Sequence, residues 1–137
     1  MIEKHWSADY IGIEWRARGA GHDGVDCYGL VRLVYREILG VSIPAYDELY
    51  ATAEELEEIA AIIAGARDLP RWSRVDAGQE KEFDVAIFRQ AGVESHVGMV
   101  ISRGMMLHAS SGRESEIVRY SEGKWFPRLV GFFRHEG

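Results

Sequence analysis

The sequence contains one cysteine, Cys27, within Gly24-Val25-Asp26-Cys27-Tyr28-Gly29-Leu30-Val31. A lone thiol cannot close an internal disulfide, so it is left for packing, metal ligation or covalent chemistry. Packing is the commonest use of a single cysteine, and covalent chemistry requires a base within reach. Imidazole suits that task because it titrates near neutral pH. Two histidines qualify by position: His96 at the start of one strand-like run and His108 near the end of the next. Cys, His and His also make a three-ligand zinc set with an open position. Close ligand pairs such as Cys-x-x-Cys or His-x-x-x-His are lacking, which ranks zinc well below catalysis, and no metal or cofactor is expected.

Spacing indicates the elements that must hold these groups. From Cys27 onward, Leu30, Val31, Val34, Tyr35, Ile38 and Leu39 recur at helical intervals, and Gly40 stands where a C-terminal cap belongs. Cys27 then falls in the first turn, where unpaired N–H groups and the positive end of the dipole favour an anion. A lowered thiol pKa is expected there, and the same N–H groups can receive an oxyanion. Asp26 is assigned to N-capping rather than to base catalysis, since a carboxylate beside a thiolate raises the thiol pKa. His22 lies on the loop leading into the helix and receives no role, nor do His5 and His135 near the ends.

Beyond Gly40, Thr52 and Glu55 form a capping box for a second helix ending near Gly65, with Leu56, Ile59, Ala60, Ile62 and Ile63 on its apolar face. Its Glu54, Glu55, Glu57 and Glu58 are a solvated face. Residues 68–82 are mostly polar, a linker into the sheet, so that 41–82 form a helical insertion. The period then changes. Residues 83–88, 97–101, 105–109, 117–120 and 129–133 are short apolar or β-branched runs separated by turns. Ser102-Arg103-Gly104 is a tight hairpin that makes the strands of His96 and His108 antiparallel neighbours, with both histidines on one face. Helices first and strands later imply an α+β fold, and 137 residues fit a single domain over 1–137.

A net charge of -6 without a dense basic run argues against nucleic acid as a partner. The first residues lack the apolar centre of a signal peptide, and no apolar run reaches membrane-spanning length. The expectation is a protein that is cytoplasmic as synthesised, with no membrane contact.

Four pieces in order, the Cys27 stretch, Phe83-Asp84-Val85-Ala86-Ile87-Phe88, Ser95-His96-Val97-Gly98-Met99-Val100 and Leu107-His108-Ala109, resemble the NlpC-type cysteine peptidases of bacterial cell-wall peptide. The resemblance is closer to the branch found in phage tail-assembly proteins, and it extends from about residue 10 to residue 134. It implies a papain-like arrangement, in which an N-terminal helix carrying the cysteine packs on a five- to six-stranded antiparallel sheet carrying the histidines. It also implies roles: Cys27 as nucleophile, His96 as base, His108 as the group that orients His96. The implied substrate is the peptidoglycan stem peptide, cut between D-γ-glutamyl and the diamino acid. Other tail proteins are the implied partners, and a virion tail the implied route to the wall.

The family commonly has a tyrosine twelve positions before the nucleophile, and this sequence has Trp15, whose indole N–H is a donor without a hydroxyl. Either that indole or the backbone alone serves the oxyanion. Tyr28 stands where many relatives have serine, and with Trp15 and Trp125 it is a candidate to line the cleft or to fill the core. Two other functions share these residues: a structural tail-tip part with little activity, and a thiol acyltransferase or amidase on the same scaffold.

Overall fold

The computed structural model describes residues 5–17, 19–42, 72–90 and 93–135. The expected second helix at 52–65, with its acidic face, lies outside the described residues.

Helix α1 spans Cys27–Val34, and Leu30, Val31, Leu33 and Val34 are all buried. Burial of such side chains contributes about 1.5–3 kcal/mol each, which fastens a helix of only two turns that could not persist alone. Asp26 caps it as expected, accepting the Gly29 N–H at 2.6 Å. Gly29 is required by close approach. A Cβ there would run into the Gly19 carbonyl, which lies over the helix start and accepts the Asp26 N–H at 3.2 Å. The apolar periodicity continues past Val34, but Tyr35–Leu39 form a widened π turn that ends on Gly40 at φ 67°, the left-handed cap.

Preceding α1, β1 (Ala20–Gly21) and β2 (Gly24–Val25) form a small antiparallel hairpin. The main sheet contains β3 (Trp72–Val75), β4 (Val85–Gln90), β5 (Val93–Ser102), β6 (Met105–His108), β7 (Glu116–Arg119) and β8 (Leu129–His135). Its order is β3-β8-β4-β5-β6-β7 with every pair antiparallel, an α+β fold with a six-stranded sheet. The β5–β6 turn is the expected tight hairpin, with Ser102 opposite Met105 and Gly104 at φ 93°.

The two faces of the sheet close two cores. Val85, Ile87, Val97, Met99, Leu107 and Phe133 share a cluster with the apolar face of α1. Ala86, Phe88, Val100, Met106 and Phe132 face the other way and pack with Tyr120 and Trp125. Asp84, buried just before β4, receives both Nε and an NH2 group of Arg134 at 2.8 Å, which ties β4 to β8.

One expectation is corrected. The stretch 68–82, expected as a linker, contains the edge strand β3, which among the described residues pairs with β8 alone. Ser73 and Arg74 are exposed and Val75 is buried, so β3 carries none of the apolar alternation by which the other strands announce themselves.

Candidate active site

Cys27 occupies the first position of α1 and is half-buried against the α1-side core, as are Tyr28 and Trp15. The backbone of Val97 on β5, together with that of Tyr28 and of Cys27 itself, engages the thiol sulfur and favours its charged form. Those contacts do not decide the balance. Burial, then the neighbouring Asp26 carboxylate, pushes the Cys27 thiol up to about 12. The expected lowering by the helix terminus is thereby overturned: a two-turn helix provides a weak local field, and withdrawing a thiolate from water costs more than that field returns.

His96 sits one residue before Val97, so the thiol meets the histidine strand at the His96–Val97 junction. The His96 imidazole is 2% exposed, and its Nε2 is 2.8 Å from Nδ1 of His108, which is equally buried. The other His96 nitrogen, Nδ1, takes no part in that bond. Pleating explains the pairing. His96, Gly98 and Val100 alternate with Val97 and Met99, so Gly98 lies on the histidines' face, and continuing the Met99↔Leu107 register sets it opposite His108. A Cβ on Gly98 would meet Met106 Sδ and stand 3.5 Å from the His108 Cβ. The bare glycine leaves the space through which His108 reaches His96.

Burial lowers His96 to about 3, helped by the positive fields of His108, Lys124 and Arg128. Burial also lowers His108 to about 4, against the opposing pull of Glu116, its partner across β6–β7. Both imidazoles are therefore neutral at ordinary pH, and so is the thiol. Trp125 covers the pair: its indole stacks on His96 with centroids 4.6 Å apart and planes at 19°, and meets His108 edge-on at 5.1 Å.

Segment 14–16 runs beside β2, with Val25 N–H donating to Glu14 O at 3.0 Å and Arg16 N–H donating to Val25 O at 3.0 Å. Trp15 forms a parallel bridge with Val25, two residues before Cys27. Ile11, Gly12, Arg113, Glu114, Ser115 and Glu116 line a hollow of about 400 Å³, and one of them, Glu116, is the cross-strand partner of His108. His22 is engaged elsewhere, its Nε2 2.8 Å from Glu37, which also accepts from the Tyr10 hydroxyl. Among the described residues, no three His, Cys, Asp or Glu side chains converge on a point that could hold a metal ion. The structure thus joins His96 to His108 by a hydrogen bond and brings the Cys27 thiol to the backbone of Val97, the residue after His96. Sequence reasoning gave Trp125 and Gly98 no part in the histidine pairing, although a glycine two places after a strand histidine was a readable sign of something passing over that spot.

Comparison with known proteins gives this geometry a context. The profile of the NlpC/P60 family matches residues 12–134. The probable endopeptidase NlpC homolog of Haemophilus influenzae is 26% identical over 117 residues, 85% of this chain and 52% of that protein. The murein DD-endopeptidase MepS/murein LD-carboxypeptidase of Escherichia coli K12 is 26% identical over 121 residues, 88% of this chain and 55% of that protein. The chain thus spans about half the length of these curated relatives. Among solved structures, the NlpC/P60 domain of the peptidoglycan hydrolase SagA superposes with a TM-score of 0.61 at 20% identity, covering 93% of this chain and 90% of that one. An NlpC/P60 family protein from Bacillus cereus gives 0.65 at 20% identity, covering 93% of this chain and 37% of that one. The fold described above is thus similar to that of these structures, and with the family profile matching residues 12–134 the chain belongs to the NlpC/P60 family.

Proposed function

We propose that this domain is a cysteine endopeptidase that hydrolyses peptidoglycan stem peptides between D-γ-glutamyl and the diamino acid. The observation that carries the reading is the buried His96–His108 hydrogen bond of 2.8 Å on the strand whose backbone touches the Cys27 thiol. Relatives named as murein endopeptidases support the substrate class.

For His96 to act as base, Nδ1 must be unprotonated, so its Nε2–H donates to Nδ1 of His108 and fixes the tautomer. Cys27 Sγ attacks the scissile carbonyl carbon as its proton passes to His96 Nδ1. Because both groups rest neutral, proton transfer accompanies attack rather than preceding it. The tetrahedral oxyanion takes the Cys27 backbone N–H, and Trp15, bridged to Val25 two residues before Cys27, is the candidate second donor. Collapse expels the diamino acid amine, which takes the proton from His96 Nδ1 and leaves a thioester on Cys27. Water, deprotonated by His96, then releases the D-γ-glutamyl carboxylate and restores the thiol. Tyr28, half-buried beside Cys27, walls the cleft. The charged hollow around Arg113 and Glu116 takes the polar end of the stem peptide. A tail-associated setting, with other tail proteins as partners and a virion tail as the route to the wall, rests on the sequence resemblance.

Digestion of purified peptidoglycan followed by mass analysis tests the reading. The expected products are fragments ending in D-glutamyl and fragments with a free amine on the diamino acid, both absent with Cys27→Ala. Cleavage at another bond, or none, refutes it.

A further inference from the structure

The residue most intimately in contact with the histidine pair is one that the proposed reaction does not use. Trp125 is 5% exposed and belongs to the second core, on the face away from α1. Its indole lies nearly parallel to His96 at 4.6 Å, while Phe88 and His108 both meet it edge-on, at 5.3 and 5.1 Å. Lys124 Nζ and the Arg128 guanidinium carbon lie 5.3 and 5.8 Å from the indole centroid. Core filling alone sets no ring angle. A face-to-face stack does, because it allows the imidazole to slide or turn only by losing contact area.

We propose that Trp125 is a positioning residue for His96: its stacked indole fixes the plane of the imidazole, and with it the direction of Nδ1, and it keeps water away from the His96–His108 hydrogen bond. The catalytic part of this inference rests on the endopeptidase reading; the structural part does not. The charged or titratable groups facing the pair are Lys124 and Arg128 from the segment before β8, Glu116 from β7 and Arg113 from the loop before it. The first two are exposed cations that disfavour imidazolium, while the low dielectric supplied by Trp125 amplifies their effect.

Two variants and two independent readouts test this. Trp125→Phe keeps an aromatic face and Trp125→Leu keeps only apolar bulk, with folding of both checked by thermal melting. The first readout is the NMR titration of the His96 imidazole in the free protein, assigned by difference against His96→Gln. In the Trp125→Leu protein water enters, so the His96 pKa rises toward about 6.5, and the ring-current shift of its carbon-bound protons disappears. Trp125→Phe retains much of both. The second readout is kcat and KM on a defined stem peptide. Trp125→Leu lowers kcat on the order of 10²-fold, the scale of a small misplacement of a catalytic group, leaves KM near wild type and moves the acid limb of kcat/KM to higher pH. Trp125→Phe restores most of the rate. A folded Trp125→Leu protein with an unchanged His96 titration overturns the proposal, whatever its kcat. If wild type cleaves no stem peptide while the titration moves as expected, the endopeptidase reading fails and the positioning role stands.

Discussion

Alkylating Cys27 with iodoacetamide between about pH 6 and about pH 10 distinguishes two resting states of the site. One is a preformed thiolate–imidazolium pair; the other is a neutral thiol beside a neutral imidazole. The thiol near 12 and the His96 imidazole near 3 stand about nine pH units apart, on the order of 12 kcal/mol against moving the proton between them. Even at a contact distance of about 4 Å, attraction between the resulting charges would return only about 4 kcal/mol at an effective dielectric of about 20. Burial disfavours the charged form of both groups, so the neutral pair is the resting state. Against a free thiol near 8.5, a thiol near 12 has about 3 × 10³ less thiolate at pH 7. Its greater intrinsic nucleophilicity recovers roughly 40-fold at a Brønsted slope of about 0.45. Alkylation at pH 7, followed by intact mass, should therefore run on the order of 10²-fold slower than that of N-acetylcysteine, and should still be rising past about pH 9.5. Asp26→Asn retains the N-cap but removes the neighbouring charge, so it should speed the reaction at every pH in that range. A wild-type plateau below about pH 8 would mean that a thiolate is held at rest, and would refute the neutral-pair argument.

The remaining predictions concern the surroundings. Arg134→Leu strands the buried Asp84 carboxylate and should cost about 3–5 kcal/mol in urea unfolding, whereas Asp84→Asn leaves a half-exposed guanidinium that water can serve, costing about 1–3 kcal/mol; equal costs would refute the asymmetry. Gly98→Ala should be tolerated by movement of the Met106 thioether. Gly98→Val should drive a methyl group toward His108 and lower kcat on the order of 10²-fold with little effect on KM, and a Val variant of wild-type kcat would deny the passage over Gly98. If the Trp15 indole donates to the oxyanion, Trp15→Phe should lose about 10²–10³ in turnover and Trp15→Tyr should recover part of it. Unchanged turnover in Trp15→Phe leaves the Cys27 backbone N–H as the principal donor.

What was legible in the sequence is what local rules govern. Asp26 as the cap, the apolar stripe from Leu30 to Val34, Gly40 as the terminator and the two-residue hairpin at Arg103-Gly104 follow from neighbours within a few positions. The His96–His108 pairing was legible for the same reason, since one tight turn fixes which strand faces which. Strand β3 was not legible, because in so short an edge strand the consecutive exposed Ser73 and Arg74 leave no alternation to detect. The Cys27 thiol shifts against the expected direction because the helix-terminus field is a local property, whereas burial depends on the packing of the whole fold around the helix start. Trp125 was invisible as a partner of His96 because twenty-eight positions and two strands separate them. A lone tryptophan carries no mark of what it stacks on.

The central claim is that Cys27 is the attacking group, and the most direct test compares turnover of a defined stem peptide by wild type and by Cys27→Ala, both shown to be folded by thermal melting. The account predicts release of the diamino acid amine by wild type and none above the buffer background by Cys27→Ala. Release by Cys27→Ala at a rate near wild type would contradict it.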